Sequence, residues 1–210
     1  MTTVLVDYDS GNLHSAQKAF ERMATEVGSG PVVVTSDADV VARADRIVLP
    51  GDGAFPHCRA ELFGRTALAE AIIESVEQRA VPFFGICVGM QMLATTGHEY
   101  QETPGFGWVP GDIRAIDAPG LKVPHMGWNN LVIDQPHPVL DGITSGDHAY
   151  FVHSFAMQAA DPAHVLAHVD YGGDVTALVG RDTIIGAQFH PEKSQDAGLR
   201  MIANFLRWTP

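Results

Sequence analysis

Cysteine is almost missing. Cys58 and Cys87 are the two present among 210 residues, too few for a disulfide framework, so both are expected as free thiols in a reducing compartment. Basic residues are scarce as well: 13 Lys and Arg against 25 Asp and Glu leave a net charge of −12. A nucleic acid would be repelled overall, and no Lys/Arg cluster offers it a footprint. No apolar run is long enough to span a bilayer. The opening MTTVLVDYD lacks the basic and apolar regions of a signal peptide, so the expected location is the cytoplasm. Internal repeats, low-complexity segments and linkers are also lacking, and the chain reads as a single domain over residues 1–210 with room for a real core.

Short β-rich runs alternate with helical patterns in the first half. Val4–Asp7 reads as a buried strand ending in the turn residues Tyr8–Asn12, and Leu13–Met23 follows as a helix. Val32–Val34 and Ile47–Leu49 are further strands. Leu68–Arg79 is a helix with Leu68, Ile72 and Val76 at a spacing of four. Val81–Ile86 is nearly all apolar, as a strand buried on both faces of a parallel sheet must be, and Val88–Ala94 begins a helix at once. The second half differs. Trp108–Ile116, Leu131–Ile133, Ala149–His153, Val165–Val169, Thr176–Val179 and Ile184–Gln188 are short strands separated by Gly, Pro and Asp, before a closing helix at Ala197–Trp208. The expected fold class is therefore α/β: a mostly parallel central sheet with helices on both faces, carrying an added antiparallel portion on the same sheet.

Phe83-Phe84-Gly85-Ile86-Cys87-Val88-Gly89-Met90-Gln91 has the G-x-nucleophile-x-G form of a nucleophile elbow with Cys in place of Ser. An apolar strand leads in, a helical pattern leads out, and the glycines permit a tight turn. At a helix N-terminus the dipole and free N–H groups favour a thiolate, and the N–H of Val88 can donate to a developing oxyanion. Taken alone, the run favours a catalytic thiol, with a buried structural Cys in a glycine-rich turn as the other reading.

A thiol nucleophile needs a base. Among ten histidines the one with a context is His190, in His190-Pro191-Glu192 just past the strand Ile184–Gln188. Pro191 biases His190 toward an extended conformation, in which residues i and i+2 point to one side. Glu192 is then expected to reach the imidazole and fix its tautomer, the orienting role of a triad. Leu49-Pro50-Gly51-Asp52-Gly53-Ala54-Phe55 follows another strand and so belongs at the same carboxyl edge of the sheet. Its two glycines allow backbone amides to turn toward a substrate, and it lacks the third glycine of a dinucleotide fingerprint. His164 and His168 are four apart, but their segment reads as a strand with no acidic ligand in step, so no metal site is expected. His137 lies between two prolines and reads as a loop residue, and Cys58 as structural.

Gly85-Ile-Cys87-Val-Gly89-Met-Gln91 together with His190-Pro-Glu192 resembles the class I (triad) glutamine amidotransferases over essentially the whole chain. Val6–Leu13, Leu49–Phe55, Pro124-His125-Met126-Gly127-Trp128-Asn129, Tyr150–Phe155 and His190-Pro-Glu-Lys193-Ser194-Gln195 resemble, within that class, the glutaminase subunits of imidazole glycerol phosphate synthases. The resemblance implies a Cys87–His190–Glu192 triad, an oxyanion segment at Gly51, Asp52 and Gly53 with Val88, and a substrate contact from Gln91. It implies no cofactor and no metal. It also implies a (β/α)₈-barrel cyclase partner in a heterodimer, faced by the segments of Asn12, Met126, Trp128 and Lys193, which uses the released ammonia to make imidazole glycerol phosphate and aminoimidazole carboxamide ribotide. The family commonly has a small apolar residue where this chain has Asp52; a carboxylate beside a developing negative charge is unfavourable, so its side chain is expected to point outward. Two alternatives stay open from the residues alone: a class I glutaminase feeding another synthase, such as one making anthranilate or pyridoxal phosphate, and a non-catalytic Cys-elbow protein, for which His190-Pro-Glu192 has no purpose.

Overall fold

A computed structural model describes all 210 residues. The first half runs β1 (Thr3–Val6), α1 (Leu13–Val27), β2 (Val32–Thr35), α2 (Ala38–Val41), β3 (Arg46–Gly51), α3 (Phe55–Gly64), α4 (Thr66–Glu77), β4 (Phe83–Cys87) and α5 (Val88–Gln91). Strands dominate the rest: β5 (Thr96–Gly97), β6 (Thr103–Pro104), β7 (Gly111–Ala115), β8 (His125–Asn130), β9 (Val132–Ile133), β10 (His148–His153), β11 (Phe155–Ala159), β12 (Val165–Asp170), β13 (Asp174–Arg181) and β14 (Ile184–Ala187), closed by α6 (Gln195–Arg207).

The main sheet has the order β2-β1-β3-β4-β14-β13-β12-β9. From β2 to β14 neighbours are parallel, and β13, β12 and β9 extend the sheet antiparallel. The mostly parallel sheet with an antiparallel extension is thus as expected. Not every late strand joins it, however: β10 pairs with β8, and β7 lies between β11 and β5 in a separate four-stranded sheet. Phe83 and Phe84 identify the two covered faces of β4, because successive strand side chains point to opposite sides. Phe84 meets Phe20 of α1 and Phe205 of α6, while Phe83 meets Phe106 and Trp108. A continuous apolar core runs from Val4 to Trp208, and no helix is long and apolar enough to cross a membrane.

Several elements depart from the sequence expectation. α1 runs one turn beyond Met23, burying Ala16, Ala19, Phe20, Met23 and Ala24 on one stripe, and stops where Gly28 turns left-handed at φ 68° and its N–H bonds Ala24 O. The helix expected over Val88–Ala94 is only α5. The carbonyls of Met92, Leu93 and Ala94 accept from Phe106, Val109 and Gly107, so they cannot serve further helical turns. The helix α3 escapes a periodicity search because FPHCRAELFG has no clean apolar stripe, although Pro56 stands at its start, where a missing N–H costs nothing. The strand β8 (HMGWNN) is mostly polar or small, and Trp108 belongs to the core ahead of β7 rather than to a strand.

Candidate active site

The parallel register brings the candidate residues to one edge. Gly51 pairs with Cys87 across β3 and β4, and Ala187 pairs with Ile86 across β14 and β4. Cys87 is the last residue of β4 and has φ 55° and ψ −113°. That backbone is strained for a residue with a Cβ, and such strain persists only where the surroundings enforce it. The enforcement is visible in two glycines: a Cβ on Gly85 would lie 2.5 Å from Gly89 O, and one on Gly89 would lie 1.8 Å from Leu49 O. They are there because α5 starts in contact with two strands. The helix α5 that follows Cys87 has a single turn.

His190 is buried, and its main-chain N–H bonds Tyr150 O at 3.0 Å. Its Nδ1–H donates to Glu192 Oε1 at 2.9 Å, with the Glu192 side chain only 2% exposed. The expected partnership is present, but by another route. Pro191–Lys193 is a 3₁₀ turn rather than an extended segment, closed by Lys193 N–H to His190 O at 3.0 Å, and the turn curls Glu192 back onto the ring. Ser194 Oγ donates to His190 O at 2.7 Å and accepts from Tyr150 N–H at 3.0 Å, fixing the turn against β10. Burial pulls the imidazolium down, but hydrogen bonding to Cys87 and Glu192, and their charges, outweigh it and push His190 up to about 10. Glu192 Oε2 is buried with no hydrogen-bond partner, so His190 alone answers this carboxylate.

A cleft of about 270 Å³ opens onto Cys87, lined also by Asp52, Gly53, Val88, Gln91, Glu99 and His153. Gln91 Nε2 donates to Gln188 Oε1 at 3.0 Å and Phe155 O at 3.1 Å. With both N–H groups committed, Gln91 keeps only its carbonyl oxygen for a ligand, which must then bring a donor. Glu99 had no signal in the sequence, being a lone acid in a loop. It accepts from Phe55 N–H, at the start of α3, at 2.8 Å and brings a carboxylate to the cleft. A cleft with a thiol at one wall and acceptors at another suits a ligand carrying an electrophilic carbon and an ammonium.

His153 donates from Nδ1 to Phe155 O at 2.9 Å, so its Nε2 accepts from His125 Nδ1–H at 3.0 Å; His125 Nε2 in turn faces Asn129 Nδ2 at 3.3 Å. Burial, with His125 and His190 nearby, drives His153 down to about 4, and burial also lowers His125. Burial thus disfavours the charged form of both rings, opposite to the shift on His190.

The segment Gly51-Asp52-Gly53 borders Cys87: Gly51 pairs with it across the sheet, and Asp52 and Gly53, both exposed, line the cleft. Its backbone is not yet arranged as an oxyanion donor. Asp52 N–H points to Ser10 Oγ at 3.3 Å, and Ser10 does not line the cleft. Asp52 O accepts from Ser10 Oγ at 2.9 Å and from the Cys58 thiol at 3.2 Å. Cys58, read from sequence as merely structural, therefore touches this segment. The two glycines also differ. Gly51 has a Cβ position 2.6 Å from Gly89 N, so it serves close packing and not freedom of rotation; Gly53, at φ 96° with open space around it, serves conformation.

Met126 and Trp128 are 64% and 47% exposed on one face of β8, and Leu121 and Val123, just ahead of it in the chain, are exposed too. Asn12 is exposed and accepts from Ser15 N–H to cap α1, and Lys193 is half-buried in the turn that carries Glu192. His168, one of the pair set aside as metal ligands, bonds Asp134 at 2.8 Å, and His137 caps the short turn Pro138–Leu140.

A family model described as glutamine amidotransferase class-I matches residues 4–208. Among curated proteins, the chain is 67% identical to "Imidazole glycerol phosphate synthase subunit HisH" of Ruegeria pomeroyi and 66% identical to the protein of that name from Cereibacter sphaeroides, with 100% of each chain covered in both cases. Among solved structures it resembles one described as a glutamine amidotransferase (TM-score 0.74, 21% identity, covering 98% of this chain and 99% of that one). It also resembles a glutamine amidotransferase from Thermotoga maritima (TM-score 0.63, 14% identity, covering 91% and 76%). These last two likenesses speak to the fold alone.

Proposed function

The chain belongs to the class I glutamine amidotransferases and, within them, to the imidazole glycerol phosphate synthase HisH subunits, and from that membership we propose that it hydrolyses glutamine at Cys87 and hands the ammonia to a cyclase partner in histidine biosynthesis. The observation that carries this reading is the buried His190–Glu192 pair interacting with Cys87, whose side opens onto the cleft of about 270 Å³. Gln91 Oε1 and the Glu99 carboxylate are the acceptors for the substrate's α-ammonium. The Cys87 sulfur attacks the side-chain amide carbon, and the charge that develops on the amide oxygen is met by Val88 N–H and, once turned inward, by Asp52 N–H. His190 gives its proton to the departing ammonia, leaving a γ-glutamyl thioester.

The pKa of about 10 on His190 suits both halves of this cycle. While the ring interacts with the Cys87 sulfur and Glu192, it is held protonated as the acid that ammonia needs. Once the sulfur is acylated, its charge and its hydrogen bond are gone, the support from Cys87 vanishes, and the ring can work as a neutral base toward water. No step calls for a metal or cofactor. The exposed patch of Met126 and Trp128, with Asn12 and Lys193, is the surface offered to the cyclase, for which the family resemblance implies a (β/α)₈ barrel in a heterodimer.

Two outcomes follow. His190→Asn removes nearly all glutaminase turnover, and Glu192→Gln weakens it less, since an orienter often costs less to lose than the base. Because Glu192 is one of the groups raising His190, its loss moves the alkaline limb of kcat/KM for glutamine, which lies near 10 if set by this imidazolium, to lower pH. A Glu192→Gln enzyme more damaged than His190→Asn, or one whose alkaline limb stays put, overturns the assignment of roles. Trp128→Ala weakens capture of the cyclase roughly tenfold or more while leaving the circular dichroism of the chain unchanged, because a central exposed aromatic dominates an interface of this kind. Unchanged affinity by calorimetry moves the interface elsewhere. For the reading as a whole, the test is glutamate release by the chain mixed with its cyclase; an assembled pair that releases none from glutamine sinks it.

A further inference from the structure

Gln188 follows the last residue of β14 and is completely buried. A primary amide removed from water must have both of its ends bonded. Its Oε1 accepts from Gln91 Nε2 at 3.0 Å, and its Nε2 lies 3.8 Å from Cys87 Sγ as a donor. The two ends are not interchangeable. Gln91 Nε2 stands between Phe155 O at 3.1 Å and Gln188 Oε1. Phe155 O can only accept, so the Gln91 group facing it must be the NH₂, whose second hydrogen then demands an acceptor from Gln188. Gln188 must therefore turn its oxygen toward Gln91 and its NH₂ toward the sulfur. The backbone supports the same placement: Ala187 pairs with Ile86 in parallel register, so the next residues, Gln188 and Cys87, come side by side.

We propose that Gln188 is a positioning residue for the glutaminase reaction, donating an N–H to the Cys87 sulfur so that the anion is favoured and held at one bearing, with Gln91 setting the orientation of the amide. The inference rests on the reading of Cys87 as the nucleophile. An N–H bond to an ionised acceptor is roughly twice as strong as one to a neutral acceptor, so this contact favours the thiolate over the thiol. It also gives Gln91 a second task besides holding substrate. The bland account of the same contacts is a core amide that ties β14 to α5. It predicts lost stability on substitution but no specific change in the sulfur.

The experiment uses the complex with the cyclase and two variants. Gln188→Met keeps the volume and removes the N–H. Gln91→Glu keeps Gln188 but leaves nothing to donate to its oxygen, so the amide is free to turn over. At neutral pH, the rate at which iodoacetamide alkylates Cys87, read on the Cys87 peptide by mass spectrometry, falls about tenfold in both variants. In Gln188→Met, kcat for glutamine falls by a similar factor while KM stays within about twofold, and synthesis from ammonium salt reports that the complex is assembled. Cys87 alkylated at the wild-type rate in both variants overturns the proposal, whatever happens to turnover. A wild-type Cys87 that can be fully blocked without loss of glutamine turnover overturns instead the reading of Cys87 on which it rests.

Discussion

Cys87→Ala is expected to lower glutamine-dependent synthesis by the assembled complex at least about 10⁴-fold, the scale on which loss of a nucleophile is felt in a triad, and to leave synthesis from ammonium salt intact. The sulfur makes ammonia but has no part in using it, so the two substrates separate the two jobs. Alanine is the right probe for this position. Cys87 sits at φ 55°, and alanine, like cysteine, has an unbranched Cβ, so the variant inherits the elbow with little new backbone cost. The deletion is one buried sulfur, a small change in a core that runs from Val4 to Trp208. A secondary effect follows at His190. Cys87 is one of the groups that hold the imidazolium up against burial, so in the variant the ring's pKa moves down from about 10, visible as a titration at lower pH by NMR of labelled histidine. Glutamate release at more than trace rates from Cys87→Ala would remove the nucleophile assignment. Failure of ammonium salt to restore synthesis in a complex of correct mass would remove the division of labour between the two chains.

The parts of the site that were legible in the sequence are those whose chemistry needs a fixed local spacing. Gly85-x-Cys87-x-Gly89 could be read because a strand and a helix meeting at one residue leave no room for a Cβ on either side, and contacts of 2.5 and 1.8 Å at the two glycines state that constraint in distances. His190 and Glu192 could be read because they are two residues apart, although a 3₁₀ turn, and not the expected extended backbone, brings them together. Gln188, Glu99, Ser10 and Cys58 could not be read. Each acts on a residue that is distant in sequence or hidden by the turn between them: Gln188 on Cys87, Glu99 on Phe55, Ser10 and Cys58 on Asp52. Such pairings are set by strand order, register and loop path, which no local pattern encodes. The fold shows the same division. The inner parallel strands β1, β3, β4 and β14 are buried throughout and declared themselves by apolar runs, whereas β8 alternates between a polar or small set and an exposed Met126 and Trp128, a pattern no run of apolar residues announces.

The conformation of the oxyanion segment leads to the second large expected effect. In the unpartnered chain, Asp52 N–H is spent on Ser10 Oγ, while Ser10 and the Cys58 thiol both engage Asp52 O. One of the two donors expected to meet the developing oxyanion is therefore turned away from the cleft, and loss of one such donor costs roughly 10²–10³ in rate. The isolated chain should accordingly be a poor glutaminase, and binding of the cyclase together with its nucleotide ligand should raise the rate by a factor of that order without moving Cys87. The side chains that hold the closed arrangement can be removed. Ser10→Ala deletes both the acceptor for the N–H and a donor to the carbonyl, and Cys58→Ala deletes the remaining donor. The double variant should then raise the rate of the chain alone about tenfold or more and change the fully stimulated rate by less than about twofold, since on this hypothesis stimulation consists of breaking those same bonds. Gly53→Val should act the other way: at φ 96° a β-branched residue is strained, so the stimulated rate falls more than cyclase affinity does. Gly51→Val is a poor probe, since its Cβ would strike Gly89 N at 2.6 Å and damage the elbow itself. Steady-state glutaminase rates for the chain alone, with cyclase, and with cyclase plus ligand decide the matter. Equal rates in all three would eliminate the switch while leaving the triad standing, and a double variant as silent as the parent chain would show that something other than Ser10 and Cys58 holds the segment shut.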